Sequence, residues 1–274
     1  MTDRRDLSFE DIRDRVESLL GISVVNLNWF STYRVHHRVA EHFRIGRAFL
    51  LGDAGHIHSP VGAQGMNTGI GDAIDLGWKL AQVEQGRAST TLLDTYEPER
   101  IVFARLLVST TDRAFRPGIA QGLVGELARR IVAPMVFSIA TKFSIARHAF
   151  FRTLSQIRIH YHDSPLSEGE AGDVRGGDRL PWLGAGVDDN FAPLRSLDWQ
   201  VHVYGDAARD VSAACAALSL PLHSFGWNDG ARDRGFERGA LYLVRPDGYV
   251  ALAASENAAE KLRAYVNRFS LSFR

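Results

Sequence analysis

The spacing of apolar residues near the start of the chain predicts one helix and two strands. Apolar residues recur at helical intervals over 8–20, with Ser8 placed to cap the helix and Gly21 to end it. Residues 22–33 are β-branched and aromatic with partial alternation, which predicts a strand with one wet face. Residues 48–51 are apolar without alternation, so we expect a strand covered on both faces, as in a parallel sheet.

Helical spacing dominates the middle of the chain. It predicts a helix over 66–84, further helical pieces over 92–110, and one or two long apolar helices over 119–150. The most apolar stretch, 131–140, is about half as long as a membrane-crossing helix must be. We interpret it as a buried helix kinked at Pro134; a helix resting in a membrane interface is the alternative.

The last 100 or so residues have the pattern of a small α/β sandwich, preceded by a Gly- and Asp-rich segment over 163–179 that we interpret as an interdomain linker. A Pro-Asp-Gly turn at 246–248 joins the last two predicted strands as a hairpin. The predicted elements are, in order, a strand at 199–204, a helix at 207–217, strands at 239–244 and 249–253, and a helix at 255–269.

Composition limits the function classes. The 274 residues contain 32 basic and 32 acidic side chains, so nothing in the charge favours nucleic acid or an anionic membrane as a partner. Cys215 is the only cysteine and cannot form an internal disulfide, which makes a reducing cytoplasm the expected compartment. The charged first residues are followed by no apolar core of signal-peptide type, so we expect no secretion signal.

A glycine-punctuated loop between the 48–51 strand and the 66–84 helix carries the candidate chemistry. Asp53, flanked by Gly52 and Gly55, can accept hydrogen bonds from a sugar hydroxyl; alternatively it only caps the turn. Further glycines, among them Gly62 and Gly69, either free the helix's first amides for a ligand or permit a close crossing of helix and strand.

Other chemistry finds little support. His56 and His58 lack a third ligand at metal-site spacing, so we expect no metal. The chain contains no Gly-x-Ser-x-Gly element and no phosphate-binding Walker loop, which excludes the usual signatures of hydrolase triads and nucleotide triphosphatases.

Several stretches resemble the single-component FAD-dependent aromatic hydroxylases, which are flavoprotein monooxygenases. The main matches are GRAFLLGDAGH at 46–56, PVGAQGMNTGIGDA at 60–73, DLGWKL at 75–80 and LDTYEPER at 93–100. Weaker matches at 161–165, 177–179 and 243–249 resemble the phenol hydroxylase-like and polyketide hydroxylase-like branch, which has a thioredoxin-like C-terminal domain. The resemblance implies an α/β fold: part of an FAD-binding and substrate domain at 1–165, with long helices, then a thioredoxin-like domain at 166–274.

The resemblance also implies an activity and a site. NAD(P)H would reduce FAD, and the reduced flavin with O2 would hydroxylate an aromatic, phenolic or polyketide-like substrate. Asp53 would bind the ribitol, Pro60 would lie beside the flavin where oxygen reacts, and the amides at the helix start would stabilise the pyrimidine end of the ring system. The implied cofactor-binding residues are Gly52, Asp53, Gly62, Gln64, Gly65, Met66 and Asn67.

Two features depart from the family. The Gly-x-Gly-x-x-Gly unit for the ADP half of FAD and a later Asp-Gly signature are absent, so the chain resembles a hydroxylase's C-terminal half. The thioredoxin-like part lacks a Cys-x-x-Cys pair, so we expect it to be structural or oligomeric. In one hypothesis the chain is a truncated or split hydroxylase whose other half comes from a complementing N-terminal chain or was lost from an incomplete gene model. In the other it is a non-catalytic remnant or interaction module that cannot retain FAD. A homodimer is a further expected partner arrangement.

Overall fold

The computed structural model describes residues 8–32, 36–57, 64–119, 127–144, 147, 151, 155–184 and 189–273. The chain divides into two compact units, Met1–His36 and His37–Arg274. In the first unit, helix α1 (Arg13–Leu20) ends at Gly21, whose left-handed φ of 66° lets its amide reach the Glu17 carbonyl at 2.8 Å. This confirms the predicted helix, although it starts later than expected.

The strand predicted over 22–33 is wrong for its described residues, because none of 22–32 is in a strand. Val25 is 97% exposed and Trp29 is 80% exposed, so these two side chains have no covering surface of the kind that a sheet would supply. The segment is tied instead to α1, where Arg13 Nη1 donates to the Val24 carbonyl at 2.9 Å. Residues 33–35, including Tyr33 of the predicted strand, lie outside the described residues.

Four very short strands form two antiparallel ladders at the start of the second unit. β1 (Arg38–Val39) pairs with β4 (His56–Ile57), and β2 (Arg44–Ile45) pairs with β3 (Ala48–Phe49). The prediction of a doubly covered parallel strand over 48–51 is therefore wrong. The tight turn at Gly46 folds the chain back, so that 44–45 is the nearest partner and the pairing is antiparallel.

Two long helices follow, α2 (Gly65–Glu84) and α3 (Tyr96–Ile119), joined by a 3₁₀ turn at Thr90–Thr95. Both predicted helical regions are confirmed. A small apolar core holds the helices against the short ladders, and its buried members are Phe43, Leu76, Tyr96, Ile101 and Ala104. Tyr96 also donates from Oη to the Leu50 carbonyl at 2.7 Å, which fixes the chain just before the Asp53 loop.

The apolar stretch around Pro134 is helical but not buried. One π-helical turn (Ala128–Val132) leads into α4 (Ala133–Lys142), with Pro134 in the first turn, where its missing N–H costs least. Ile131, Met135, Val136 and Ile139 are each about half exposed, which overturns the expected burial. Within the described parts of the chain, none of the helices combines the length and apolar character needed to span a bilayer.

The C-terminal region contains a four-stranded sheet covered on both faces. A hairpin of β5 (Glu170–Ala171) and β6 (Val174–Arg175) precedes it. The sheet order is β10-β9-β7-β8, with β7 and β8 parallel and the other pairs antiparallel. The elements are β7 (Gln200–Tyr204), α5 (Arg209–Leu218), β8 (Leu222–Phe225), α6 (Asp229–Asp233), β9 (Leu241–Val244), β10 (Val250–Ala254) and α7 (Ala258–Arg268).

Every predicted element of this region is present, whereas β8 and α6 were not predicted. The segment predicted as a linker is built into the domain: Glu168 N donates to the Ala251 carbonyl at 2.8 Å and Gly177 N to the Val250 carbonyl at 2.7 Å. A Cβ on Gly176 would lie 2.2 Å from Glu168 N, so only glycine permits this approach. The domain boundary at 165/166 and the thioredoxin-like assignment remain predictions.

Candidate functional site

The loop with Asp53 lies directly against the first turns of α2. Residues Gly52–Ala54 form a single 3₁₀ turn, entered at Gly52 with a left-handed φ of 58°. A Cβ on Gly69 would lie 3.3 Å from Gly52 Cα, so the two backbones nearly touch. Gly69 therefore serves the close crossing that was the alternative explanation for the glycines, and this crossing brings the turn beside the start of α2.

Asp53 is exposed on this turn. Its carboxylate makes no hydrogen bond to any of the described residues, and the turn is closed by backbone groups, with Gly55 N donating to the Gly52 carbonyl at 2.9 Å. A capping role for the side chain therefore has no support in the described contacts. The carboxylate can accept hydrogen bonds from a ligand.

The start of α2 has no side-chain cap. Gln64 is the N-cap residue and caps no amide with its side chain; its carbonyl accepts from Thr68 N at 3.0 Å and Thr68 Oγ1 at 2.8 Å. Gly65, Met66 and Asn67 form the first turn, which contains no acidic residue. Their amides and the helix dipole, equivalent to about half a positive charge, suit an electron-rich ligand group. Pro60 and Gly62 lie outside the described residues.

A buried carboxylate, Asp72, holds the loop and the helix together. Its Oδ2 accepts from Gly52 N at 2.9 Å and lies 2.8 Å from His56 Nε2, and its Oδ1 accepts from Arg100 Nε at 2.7 Å. Burial alone would raise the pKa of Asp72, but His56, Arg100 and the Gly52 amide hold it below its ordinary value. The carboxylate therefore stays ionised and keeps its contacts at neutral pH.

The contact with Asp72 gives His56 a structural role. Its ring is buried against Asp72, and no group of three metal-ligating side chains occurs in the part of the chain that the structure describes. His58, the other member of the candidate pair, lies outside the described residues.

Arg100 on α3 is 2% exposed and connects three segments. Besides Asp72, it donates from Nη2 to the Thr68 carbonyl at 3.1 Å and from Nη1 to Tyr161 Oη at 2.7 Å. A Cβ on Gly71 would lie 3.0 Å from Arg100 Nη2, so Gly71 leaves room for the guanidinium. Arg100 thereby fixes the first turn of α2 relative to α3.

One turn further along, a cluster of buried charges joins α2 and α3 to the C-terminal sheet. Lys79 Nζ donates to Asp75 Oδ2 at 2.9 Å and to Glu99 Oε2 at 2.7 Å. Arg245 donates to both oxygens of Glu99, to Asp75 Oδ1 at 3.0 Å and to Asp247 Oδ2 at 2.6 Å. Burial raises the pKa of Asp75, whereas Arg245 and Lys79 lower that of Glu99 despite its burial.

A cleft of about 230 Å³ lies beside these contacts, between α2 and the C-terminal region. Asn67, Ile70 and Ile74 line it from α2, and Arg179 and Tyr249 line it from the other side. The cleft therefore begins at one of the predicted cofactor-binding residues.

The donor set at the loop fits the flavin and ribitol side of FAD. An exposed carboxylate suits ribitol hydroxyls, and uncapped amides at a helix N-terminus suit the electron-rich edge of the flavin. Among the described residues the structure brings together Gly52, Asp53, Gln64, Gly65, Met66 and Asn67 at this place. Gly52 helps to hold the loop in place, because its amide donates a hydrogen bond to the Asp72 carboxylate.

Sequence reasoning missed the charged residues that fix the site. The helical spacing of Met66, Ile70 and Ile74 predicted α2 correctly, yet these side chains face outward and are 75%, 49% and 52% exposed. The opposite face, with Asp72, Asp75 and Lys79, is the buried one. Three charged residues at positions 72, 75 and 79, one turn apart on one helix face, were the available signal.

Comparison with known proteins supports FAD as the cofactor. Residues 2–111 match the model of an FAD binding domain. A similar protein is 6-methylpretetramide 4-monooxygenase of Streptomyces rimosus, which is 33% identical over 301 residues, covering 96% of this chain and 52% of the relative. The chain thus spans about half the length of the curated relatives it matches.

The solved structures that resemble this chain include aromatic hydroxylases. CabE, an aromatic hydroxylase from angucycline biosynthesis, is 26% identical with a TM-score of 0.73 over 98% of this chain and 55% of its own. OxyS anhydrotetracycline hydroxylase from Streptomyces rimosus is 25% identical with a TM-score of 0.71 over 97% of this chain and 53% of its own. The chain is therefore similar, over about half of their length, to the FAD-dependent aromatic hydroxylases, which are flavoprotein monooxygenases.

Proposed function

We propose that this chain supplies the flavin and ribitol side of the FAD site of a monooxygenase that hydroxylates an aromatic, phenolic or polyketide-like substrate with NAD(P)H and O2. One observation carries the proposal: the exposed Asp53 carboxylate and the uncapped start of α2 lie side by side, and Asp72 fixes both. FAD, when bound, would take electrons from NAD(P)H and pass them to oxygen. The polyketide names of the relatives support this substrate class.

Each residue has a definite task in this proposal. Asp53 accepts hydrogen bonds from ribitol hydroxyls, and the amides of Gly65, Met66 and Asn67 stabilise negative charge at the pyrimidine end of the flavin. Gly52 and Gln64 shape the backbone around the cofactor. By the family resemblance, Gly62 would also belong to the cofactor-binding loop, and Pro60 would lie beside the flavin where oxygen reacts.

The outward face of α2 supports a complementing half. Met66, Ile70 and Ile74 form an exposed apolar row along the helix, and the small residues Ala73, Gly77 and Ala81 continue it. A contiguous apolar surface of this kind is typical of an interface. We propose that a polypeptide segment carrying the adenosine side of the FAD site packs on this face; a homodimer formed through it is the competing arrangement.

The C-terminal domain is proposed to be thioredoxin-like and structural. Cys215 is buried on α5, and burial raises its pKa to about 11, so it is a poor thiolate nucleophile at neutral pH. A free, buried thiol is consistent with the proposed cytoplasmic location. The domain's clearest contribution is the Arg245 cluster against α2 and α3.

FAD binding tests the proposal directly. The purified chain is titrated with FAD while flavin fluorescence and visible absorbance are followed, and NAD(P)H oxidation is then measured with and without aromatic substrates. We expect saturable binding, strengthened by co-expression with a segment that carries a dinucleotide-binding motif. A chain that takes up no FAD alone or with that segment would be the non-catalytic remnant or interaction module.

A further inference from the structure

The flavin-binding loop is linked to the C-terminal domain by an unbroken series of buried polar contacts. Asp72 accepts the Gly52 amide with one carboxylate oxygen and Arg100 Nε with the other. Arg100 reaches on to Tyr161 Oη at 2.7 Å. Three successive hydrogen bonds thus connect Gly52 to Tyr161, which belongs to neither α2 nor α3.

Tyr161 is held in turn by the C-terminal domain. Its amide donates to the Gly177 carbonyl at 2.8 Å, and its ring centroid lies 4.4 Å from that of Tyr249. The Arg245 guanidinium lies over the same ring, 5.3 Å from its centroid. The ring is therefore fixed by the β9–β10 hairpin, and with it the hydroxyl that accepts from Arg100.

Burial makes these contacts specific. Asp72 is 0% exposed, Arg100 2% and Tyr161 6%, so water cannot replace a partner that moves away. Leaving a buried charge without its partner costs folding free energy. The guanidinium is therefore restricted to the position in which it donates to all of its acceptors. The planar fork of arginine suits this arrangement, because its three nitrogens donate in fixed directions, two of them to α2 and one to Tyr161.

We infer that Arg100 is a positioning residue for the flavin site. Through Asp72 it holds the Gly52–Asp53 turn, and through Thr68 it holds the first turn of α2. Its bond to Tyr161 fixes both of these relative to the C-terminal domain. The inference rests on the proposed function, since it assigns a purpose to the geometry of the flavin-binding loop. It gives the C-terminal domain a part in shaping a cofactor site that it does not itself contain.

Hydrogen exchange on the full 274-residue chain tests the link without FAD. The variants are Tyr161→Phe and Arg100→Lys, and the matched control is Tyr265→Phe, which also removes one buried hydroxyl, bonded to the Leu166 carbonyl at 2.8 Å. Peptides covering 50–57 and 64–69 report on the loop and the start of α2, and a peptide covering 241–254 reports on the sheet. Loss of a hydrogen bond to a charged group should speed exchange in the first two about tenfold.

A merely structural role would speed exchange throughout the molecule, whereas the positioning role predicts an effect confined to the loop and the helix start. Tyr265→Phe should leave both of those peptides unchanged. Equal exchange at 50–57 in wild type and Tyr161→Phe would overturn the inference, and because this variant removes only one oxygen it decides the matter even if Arg100→Lys does not fold.

FAD titration of the same proteins separates this inference from the proposed function. If the wild-type chain binds FAD, Tyr161→Phe should weaken binding several-fold and Tyr265→Phe should not; unchanged affinity would overturn the role in flavin binding. If the wild-type chain binds no FAD, the proposed function fails for the isolated chain, while the exchange result still decides whether Arg100 positions the loop.

Discussion

Arg245 and Glu99, 146 residues apart in sequence, form a two-pronged ion pair in which Nη1 and Nη2 donate to Oε1 and Oε2 at 2.8 and 2.9 Å. Both side chains are fully buried. The pair attaches the β9–β10 hairpin of the C-terminal domain to helix α3, and Asp75 and Lys79 attach the same cluster to α2. The two helices that carry the candidate flavin site are therefore anchored by residues from the far end of the chain.

Removing Arg245 should be strongly destabilising. In Arg245→Ala, Glu99 and Asp75 stay buried with Lys79 as the remaining cation of the cluster, so we expect the free energy of unfolding to fall by about 3–5 kcal/mol. Urea denaturation followed by circular dichroism measures it. The control is Arg175→Ala, since Arg175 pairs with Glu170 on the surface and should contribute about 0–1 kcal/mol. A loss below that of the control would show that the cluster does not hold the domain.

Asp53→Ala should affect ligand binding and leave stability unchanged. The side chain is exposed and makes no hydrogen bond within the described residues, so the free energy of unfolding should change by no more than about 0.5 kcal/mol. FAD affinity, measured by flavin fluorescence on the chain or its complemented form, should fall. Asp206→Ala, which removes an exposed carboxylate in the C-terminal domain, is the control. Unchanged FAD affinity in Asp53→Ala would count against the ribitol role.

Two glycines on one helix should respond oppositely to alanine. Gly77 has open space where a Cβ would be, so Gly77→Ala should stabilise the chain by about 1 kcal/mol through helix propensity. In Gly69→Ala the new Cβ would press on Gly52 Cα at 3.3 Å, so that gain should be lost and the Asp53 turn displaced. Thermal unfolding and FAD titration measure the two effects. Equal stabilisation by both substitutions would contradict the close crossing.

His202 should make stability depend on pH. Its ring is buried, Nδ1 has no partner among the described residues, and burial lowers its pKa from 6.5 to about 3. Below pH 6.5 the unfolded chain binds a proton that the folded chain does not, so stability is lost as pH falls toward 3. From this group alone we expect a loss of about 2 kcal/mol between pH 7 and 5.

The variant His202→Gln isolates that contribution. Glutamine can keep a donor near Gln200 Oε1, which lies 3.0 Å from His202 Nε2, but it cannot take up a proton. Urea denaturation at pH 7 and at pH 5 should therefore show a smaller pH effect in the variant than in wild type. The same slope in both proteins would place the pH dependence on other groups.

Local sequence pattern was sufficient for α2, α3 and the C-terminal strands and helices that were predicted. Their signals lie within single elements: helical spacing over 66–84, apolar runs over 199–204 and 239–244, and a Pro-Asp-Gly turn between the last two strands. The same is true of the Gly52–Asp53 loop and the glycines that follow it, since a motif of adjacent residues can be recognised without knowing what lies around it.

The sequence pattern gave wrong predictions where an element's structure or burial depends on residues that are distant in sequence. Residues 22–32 have strand-forming composition but pair with no strand among the described residues, and 48–49 pairs with its own hairpin arm and not within a parallel sheet. Strand formation requires a neighbouring backbone, and that neighbour is set by the path of the chain. The exposed 131–140 helix has the same cause, because burial requires a covering surface as well as apolar residues.

By itself, the sequence determined most of the helices, and it indicated the candidate cofactor-binding loop and the family that the chain resembles. Only the tertiary structure decided which face of α2 is buried. Apolar spacing favours burial of Met66, Ile70 and Ile74, yet the charged face is inside because Asp72 meets Arg100 and Asp75 meets Arg245. A buried charge is tolerated only when its partner is in place, and Arg245 is 170 residues away from Asp75 in sequence. A local pattern cannot contain that information.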